Sequence, residues 1–347
     1  MLKPLLLKAI GIAKRSPLLQ TLYEQPIEIE KLPVTGNFID QHGNIYPLLA
    51  GLRSKIKPGW EHIFLPRNQQ TTNIPDNATI KTIAHNGKLA FDRIAPLIET
   101  FAGGIVDKTI LEIGCHAGAT CFAVAEKGAK KVIGSEFSGY KIDTNTQQTQ
   151  TLNQVNNTLK DLRTSVAQHF QQTNKVQFID DDICNSKVEQ ESIDFLCSWD
   201  VLEHLHSPEL AFNNIARLLR QGGVAIHTYN PFFCLNGGHS ACTIDFLWGH
   251  IRLNHTDFER FNDEQQPTRK TQAMAFYQHG VNRMTIADLQ NASQKANLSI
   301  VALFQFPKEQ HLRMITPEIL SQAQKNYPNL TANDLVTPRI IVVQKKQ

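Results

Sequence analysis

From about residue 80 the chain alternates two hydrophobic patterns. Short apolar runs closed by turn residues suit buried strands, whereas apolar residues every three or four positions line one face of a helix. Residues 83–101 show the second pattern, with Leu89, Ile94, Leu97, Ile98 and Phe101 on one face and Gly103-Gly104 as the stop. Five short runs predict strands: 109–113, 131–134, 176–179, 193–198 and 224–228. A helix is predicted from Ala119 to Lys127, ended by Gly128. Another opens with Ser207 as N-cap and Pro208 in the first turn, runs to Arg220, and is stopped by Gly222-Gly223. The stretch 141–174 holds 12 Asn and Gln residues and looks like a polar tail. Its Leu152, Val155, Leu159, Leu162, Val166 and Phe170 nevertheless share one helical face. Thr285 and Asp288 form the spacing of a capping box for a helix to about Ala296. Residues 298–304 and 339–343 supply two late strands.

Strands alternating with helices imply an α/β fold, a mostly parallel sheet with helices on both faces. The predicted organisation is an N-terminal extension over 1–79 and one α/β domain over 80–347. About 55 residues at 229–284 interrupt that domain after its fifth strand and are expected to form a substrate lid. Residues 1–20 carry four positive charges and no negative one. Lys8 breaks the apolar core that a signal peptide needs. Two readings of this segment stand: an ordinary helix covering the main domain, or a basic amphipathic helix making peripheral contact with a membrane. Residues 21–75 read as loops with a hairpin around His42-Gly43-Asn44.

Composition narrows the picture. With 41% hydrophobic and 19% charged residues the chain has globular composition rather than that of a disordered polymer. A net charge of +3, from 35 basic against 32 acidic residues, gives no reason to expect nucleic acid. No apolar run approaches the roughly 20 residues that span a bilayer. Six scattered cysteines form no CxxC pair, which suits a reducing, cytoplasmic setting. Nothing in the composition fixes an oligomeric state.

In such sheets ligands bind beyond the carboxyl ends of the strands, so the residues there carry the functional argument. After the first strand come Glu112, Gly114, His116 and Gly118 within Leu111–Gly118. The glycines allow a tight turn and close approach to a ligand, and the next helix offers free N–H groups. Glu136 ends the second strand, 22 residues beyond Gly114, where a carboxylate can accept from two ribose hydroxyls. Asp182 and Ile183 follow the third strand: one can take an adenine amino proton, the other can pack on the ring. Ser198 to His204, after the fourth, is a dense polar and aromatic cluster.

These features resemble the class I S-adenosylmethionine (SAM)-dependent methyltransferases. The resemblance rests on LEIGCHAG at 111–118, Glu136, Asp182-Ile183, DVLEHL at 200–205 and the helix-then-GG-strand at 207–228, and it covers roughly residues 80–230. It implies a Rossmann-like seven-stranded sheet in the order 3-2-1-4-5-7-6, with the seventh strand antiparallel. It further implies SAM as cofactor and S-adenosylhomocysteine as product. Gly114 and Gly118 would line the methionine moiety, Glu136 with neighbouring Phe137 the ribose side, and Asp182 with Ile183 the adenine. Trp199 and Asp200 would flank the sulfonium. His116 replaces the middle glycine of the family's acidic-x-Gly-x-Gly-x-Gly motif, whose acidic position is Glu112. The rival nicotinamide fingerprint G-x-G-x-x-G is not met by GCHAGA at 114–119.

Methyl transfer to a hydroxyl needs a proton acceptor near the sulfonium. His204 is the foremost candidate; His239 and His250 in the lid are weaker ones. Asp200-x-x-Glu203-His204 also resembles an acidic cluster that holds a divalent metal in some methyltransferases, with His239 as a further ligand, but no metal is assigned. Phe232, Phe233, Phe246 and Trp248 form an apolar lid wall, Arg252 and His255 polar handles, and Gly237-Gly238 a hinge. The expected reaction is O-methylation of a small-molecule or glycan substrate. The alternatives are a methyltransferase-like fold that binds without catalysis, and an RNA or protein methyltransferase.

Overall fold

The computed structural model describes residues 29–56, 75–140 and 151–347. The basic segment 1–20 lies outside them. Two strands near the start, β1 (Val34–Ile39) and β2 (Ile45–Leu49), pair antiparallel. The Asp40 carboxylate closes their turn by accepting from the backbone N–H groups of His42 and Asn44. This is the hairpin expected around His42-Gly43-Asn44.

The α/β domain opens with α1 (Asn77–Ala102), three residues before the expected boundary. Asp76 caps it by accepting from Thr79 N–H, and Gly103, at φ 63°, ends it. The sheet follows as β3 (Thr109–Ile113), β4 (Lys131–Glu136), β5 (Val176–Asp180), β6 (Ile193–Trp199), β7 (Leu219–Tyr229), β8 (Leu298–Gln305) and β9 (Ile340–Lys346). Their order is β5-β4-β3-β6-β7-β9-β8, with β9 antiparallel to both neighbours. Counted from β3, this is the expected 3-2-1-4-5-7-6. The order reverses between β3, which feeds β4 on one side, and β6 on the other, so a crevice opens at their carboxyl ends.

Helices α2 (Ala119–Glu126) and α3 (Leu152–Ala167) cover one face with α1. The Asn- and Gln-rich stretch is indeed amphipathic. Val155, Leu159, Leu162 and Val166 are buried, and each such side chain stabilises by about 1.5–3 kcal/mol. Helix α4 (Pro208–Leu218) and α5 (Ile286–Lys295) pack together on the other face. Thr285 and Asp288 form the expected capping box.

Two local expectations need correction. The Ser207 side chain makes no capping bond; Pro208 and the Glu209 carboxylate stand in the first turn without it. The helix ends at Leu218, and Gly222-Gly223 lies inside β7 rather than before it, where the pairing with β6 shifts register between Ile193 and Phe195.

The largest departure concerns the extension and the lid, which share one core. Phe38, Tyr46, Leu48 and Leu52 pack with Phe232, Phe246, Trp248, Phe258 and Phe261. Tyr46 stacks on Phe246 at 4.7 Å, Phe38 meets Phe261 edge-on at 5.3 Å, and Leu49 N–H donates to Asp245 O. The four lid aromatics, Phe232, Phe233, Phe246 and Trp248, are 1–3% exposed and belong to this core, which the hairpin rather than the sheet helps to cover. A β-carbon on Gly237 would lie 2.2 Å from the carbonyl oxygens of Pro231 and Phe232, so that glycine permits close packing of the turn. Among the described residues no helix is long and apolar enough to cross a membrane.

Candidate active site

The loop after β3 is drawn tight by its own backbone. Gly114 and Cys115 N–H both donate to Ser135 O at the end of β4. Gly114 has φ 70°, and a β-carbon there would sit 2.5 Å from Val201 Cγ2. Only glycine meets both demands. His116 also takes a left-handed conformation, φ 42°. The position keeps a backbone that favours glycine although the residue has changed. Its N–H donates to Glu136 Oε2 at 2.7 Å, and Arg163 Nε donates to its carbonyl at 2.8 Å. The Glu136 carboxylate thus braces the loop as well as facing the crevice.

Seven of the expected cofactor residues share the wall of one cleft: Gly114, Glu136, Phe137, Asp182, Ile183, Trp199 and Asp200. Glu112, His116 and Gly118 are not among its lining residues. A β-carbon on Gly118 would fall 2.3 Å from the Phe178 ring, so this glycine serves packing within the fold. Glu112 is buried and accepts from Cys121 Sγ; burial pushes its carboxyl up to about 7, and the Glu136 charge adds to the shift. Asp182 caps the short turn after β5 through Cys184 N–H and accepts from His206 Nε2 at 2.9 Å. Asp200 is held in a left-handed conformation, φ 53°, with its N–H on Thr228 O.

Tyr140, His204, Leu205 and His206 also line the cleft, with Ile113, Asp181 and Val201. His204 Nδ1 lies 2.6 Å from Gly280 O and 2.9 Å from the Tyr140 hydroxyl, which itself donates to Gly280 O at 3.0 Å. A carbonyl only accepts, so in the neutral ring Nδ1 carries the proton and Nε2 the lone pair. Burial, reinforced by the Glu203 charge, holds the Tyr140 phenol well above its usual value, so it stays a donor. The loop bearing His204 is pinned by Asn282, whose side chain donates to Leu202 O and Leu205 O.

The structure separates the three candidate bases. The His239 ring lies 5.1 Å from that of His204, beside Phe276. His250 is 1% exposed, packs edge-on to Phe232 and bonds Phe232 O through Nε2; it does not line the cleft. Burial lowers its pKa to about 4. Ligand atoms of Glu203, His204 and His239 lie within 4.8 Å of one another, an O,N,N set with the chemistry to hold a divalent ion. Tyr140, His206 and the backbone partner Gly280 were missed in the sequence. An aromatic four residues past Glu136 was the one available signal, and a main-chain acceptor leaves none.

A seven-stranded sheet in this order, with an acidic and glycine-lined cleft at the reversal of strand order, defines a class I SAM-dependent methyltransferase. The chain belongs to the methyltransferase-domain family, whose sequence profile matches residues 86–303. No protein of curated function matches it significantly. Among solved structures it is similar to a SAM-dependent methyltransferase from Mesorhizobium loti: identity is 14%, coverage 70% of this chain and 92% of that one, and the TM-score 0.42. It is also similar to geranyl diphosphate C-methyltransferase from Streptomyces coelicolor A3(2), solved with Mg2+, geranyl diphosphate and S-adenosylhomocysteine. There identity is 12%, coverage 74% and 77%, and the TM-score 0.44.

The residues present fit SAM as cofactor. Glu136 lines the cleft with a carboxylate able to accept from hydroxyl groups, buried Ile183 adds an apolar lining, and Phe137 stands 37% exposed beside them. Gly114 brings bare backbone to the cleft wall against Val201, where a side chain would clash.

Proposed function

We propose that the protein transfers the SAM methyl group to a hydroxyl of a small-molecule or glycan acceptor, with His204 as general base. One observation carries this reading: Gly280 O and Tyr140 fix the His204 tautomer at the cleft wall, with the proton on Nδ1 and Nε2 as the basic nitrogen. SAM, when bound, supplies an activated methyl on a good leaving group. The chain must then orient the acceptor and receive its proton. Nε2 of His204 takes the proton. The hydrogen bond from Nδ1 to Gly280 O stabilises the imidazolium that results, and Tyr140 keeps the ring from turning. Gly114, Glu136, Asp182 and Ile183 bind and orient the cofactor, and Trp199 and Asp200 close its reactive end. His239 orders the far side of the reaction chamber, whereas His250 packs the second core.

The test uses H204Q and H204A with a panel of hydroxylated small molecules and glycans. Turnover should fall by about 10²–10⁴-fold, the usual contribution of a positioned base, with S-adenosylhomocysteine affinity within about threefold of wild type. Equal turnover by wild type and variant would remove His204 from the reaction.

A further inference from the structure

A second cleft lies beside the first and shares Leu205 and His206 with it. Its floor is the turn Phe276–Gly280 and the strand of chain that follows, including Arg283. Three imidazoles, His206, His255 and His279, stand around it, together with the hydroxyl-bearing rings of Tyr277 and Tyr327. None of its lining residues is an Asp or Glu.

Arg283 gives this cleft its charge. The guanidinium donates to Tyr277 O at 2.6 Å and to Val281 O, and lies over the rings of Phe232 and Tyr277 at 4.1 and 4.5 Å. Among the described residues its hydrogen-bond partners are thus two carbonyls, and it forms no ion pair with a carboxylate. Carbonyl and ring contacts hold a guanidinium in place without neutralising it. Its field is felt nearby, since it opposes protonation of His250 and favours ionisation of Tyr277 and Cys242. A half-buried cation without a counter-charge among the described residues, in a cleft lined by hydrogen-bonding side chains, is organised to receive an oxyanion.

Position supplies the second argument. Gly280, which orients His204 through its carbonyl, is flanked by His279 and Val281 of the second cleft. A molecule anchored on Arg283 can therefore extend past Leu205 toward the His204 side of the cofactor cleft. We infer that the second cleft holds an oxyanion, carboxylate or phosphate, carried by the methyl acceptor, and that Arg283 anchors it. This rests on the methyltransferase reading and narrows its substrate to acidic molecules.

The test needs no acceptor. Wild-type protein saturated with S-adenosylhomocysteine is treated with phenylglyoxal in chloride, acetate or inorganic phosphate at equal ionic strength, and each arginine is followed by peptide mass mapping. Arg283 should be modified at least about threefold more slowly in about 10 mM oxyanion, as expected for affinity of about 5 mM or tighter, while exposed Arg93 reacts equally throughout. Protection by phosphate alone would assign a phosphorylated acceptor, and protection by both anions a carboxylate or a phosphate. R283Q should bind S-adenosylhomocysteine as wild type does and show no phosphate-dependent shift in its thermal midpoint, whereas wild type gains one. Equal modification of Arg283 in all three salts would overturn the inference. Failure of the wild-type chain to bind S-adenosylhomocysteine would instead overturn the methyltransferase reading beneath it.

Discussion

Gly114→Ala tests whether the first loop is shaped by Val201 as well as by its own backbone. At φ 70° an alanine carries the left-handed penalty of about 1–2 kcal/mol. Its β-carbon would meet Val201 Cγ2 at 2.5 Å, and relieving such overpacking costs about 1–3 kcal/mol. The sum, about 2–5 kcal/mol, is within the stability of an ordinary domain, so a folded variant with a lower urea midpoint and unchanged slope is expected. The same methyl group enters the cofactor cleft, so S-adenosylhomocysteine affinity measured by calorimetry should fall as well. Val201→Ala removes both γ-methyls and leaves the Val201 β-carbon, at 3.6 Å, as the nearest contact. G114A/V201A should then recover the steric part and retain only the backbone part. A double-mutant cycle showing no coupling between the two positions would refute this account of the clash.

Other expectations are compact. His227 is fully buried, bonded to Ser198 Oγ, and burial lowers its pKa to about 3. Below about pH 6.5 the unfolded chain takes up a proton that the folded one refuses, so its contribution is complete above that pH and is lost as pH falls toward 3. At pH 5 the loss is about 2 kcal/mol, and urea titrations of H227Q between pH 7 and 5 should show a correspondingly shallower decline. His116→Gly should leave stability within about 1 kcal/mol of wild type, because relief at φ 42° offsets added chain entropy, whereas His116→Val should destabilise by more. The base role of His204 requires its Nε2 to be unligated. Dialysis against a chelator should leave turnover unchanged, while added zinc should inhibit wild type more than H239A, since His239 completes the ligand set.

Much of the α/β domain was legible because its strands are buried on both faces and bounded by glycine. Thr109–Ile113 shows both features and falls where the pattern put it. The capping box at Thr285 was legible because side chain and backbone meet within four residues. The failures share a different physics. Gly222-Gly223 reads as a helix stop, but in β7 the glycines are carried by pairing with a neighbour that local pattern cannot reveal. Gly118 carries a constraint that its loop does not display: a β-carbon there would meet the Phe178 ring, 60 residues away in sequence. The lid aromatics are the same case: a row of Phe and Trp residues shows that something will be covered, not that β1 and β2 will cover it. At the site, strand-end residues were found by rule, whereas the partner that sets the His204 tautomer is a carbonyl, which every residue has.

The core shared by the hairpin and the distant aromatics has a consequence for biosynthesis. Phe38 and Tyr46 leave the ribosome some 200 residues ahead of Phe246 and Phe261, the rings that later enclose them. At about 5–20 residues per second, that is about 10–40 seconds during which a two-stranded ribbon, too small to persist alone, travels with its oily side uncovered. The hairpin's burial therefore waits on sequence from the other half of the molecule, and folding of this core is completed only after that sequence has been made.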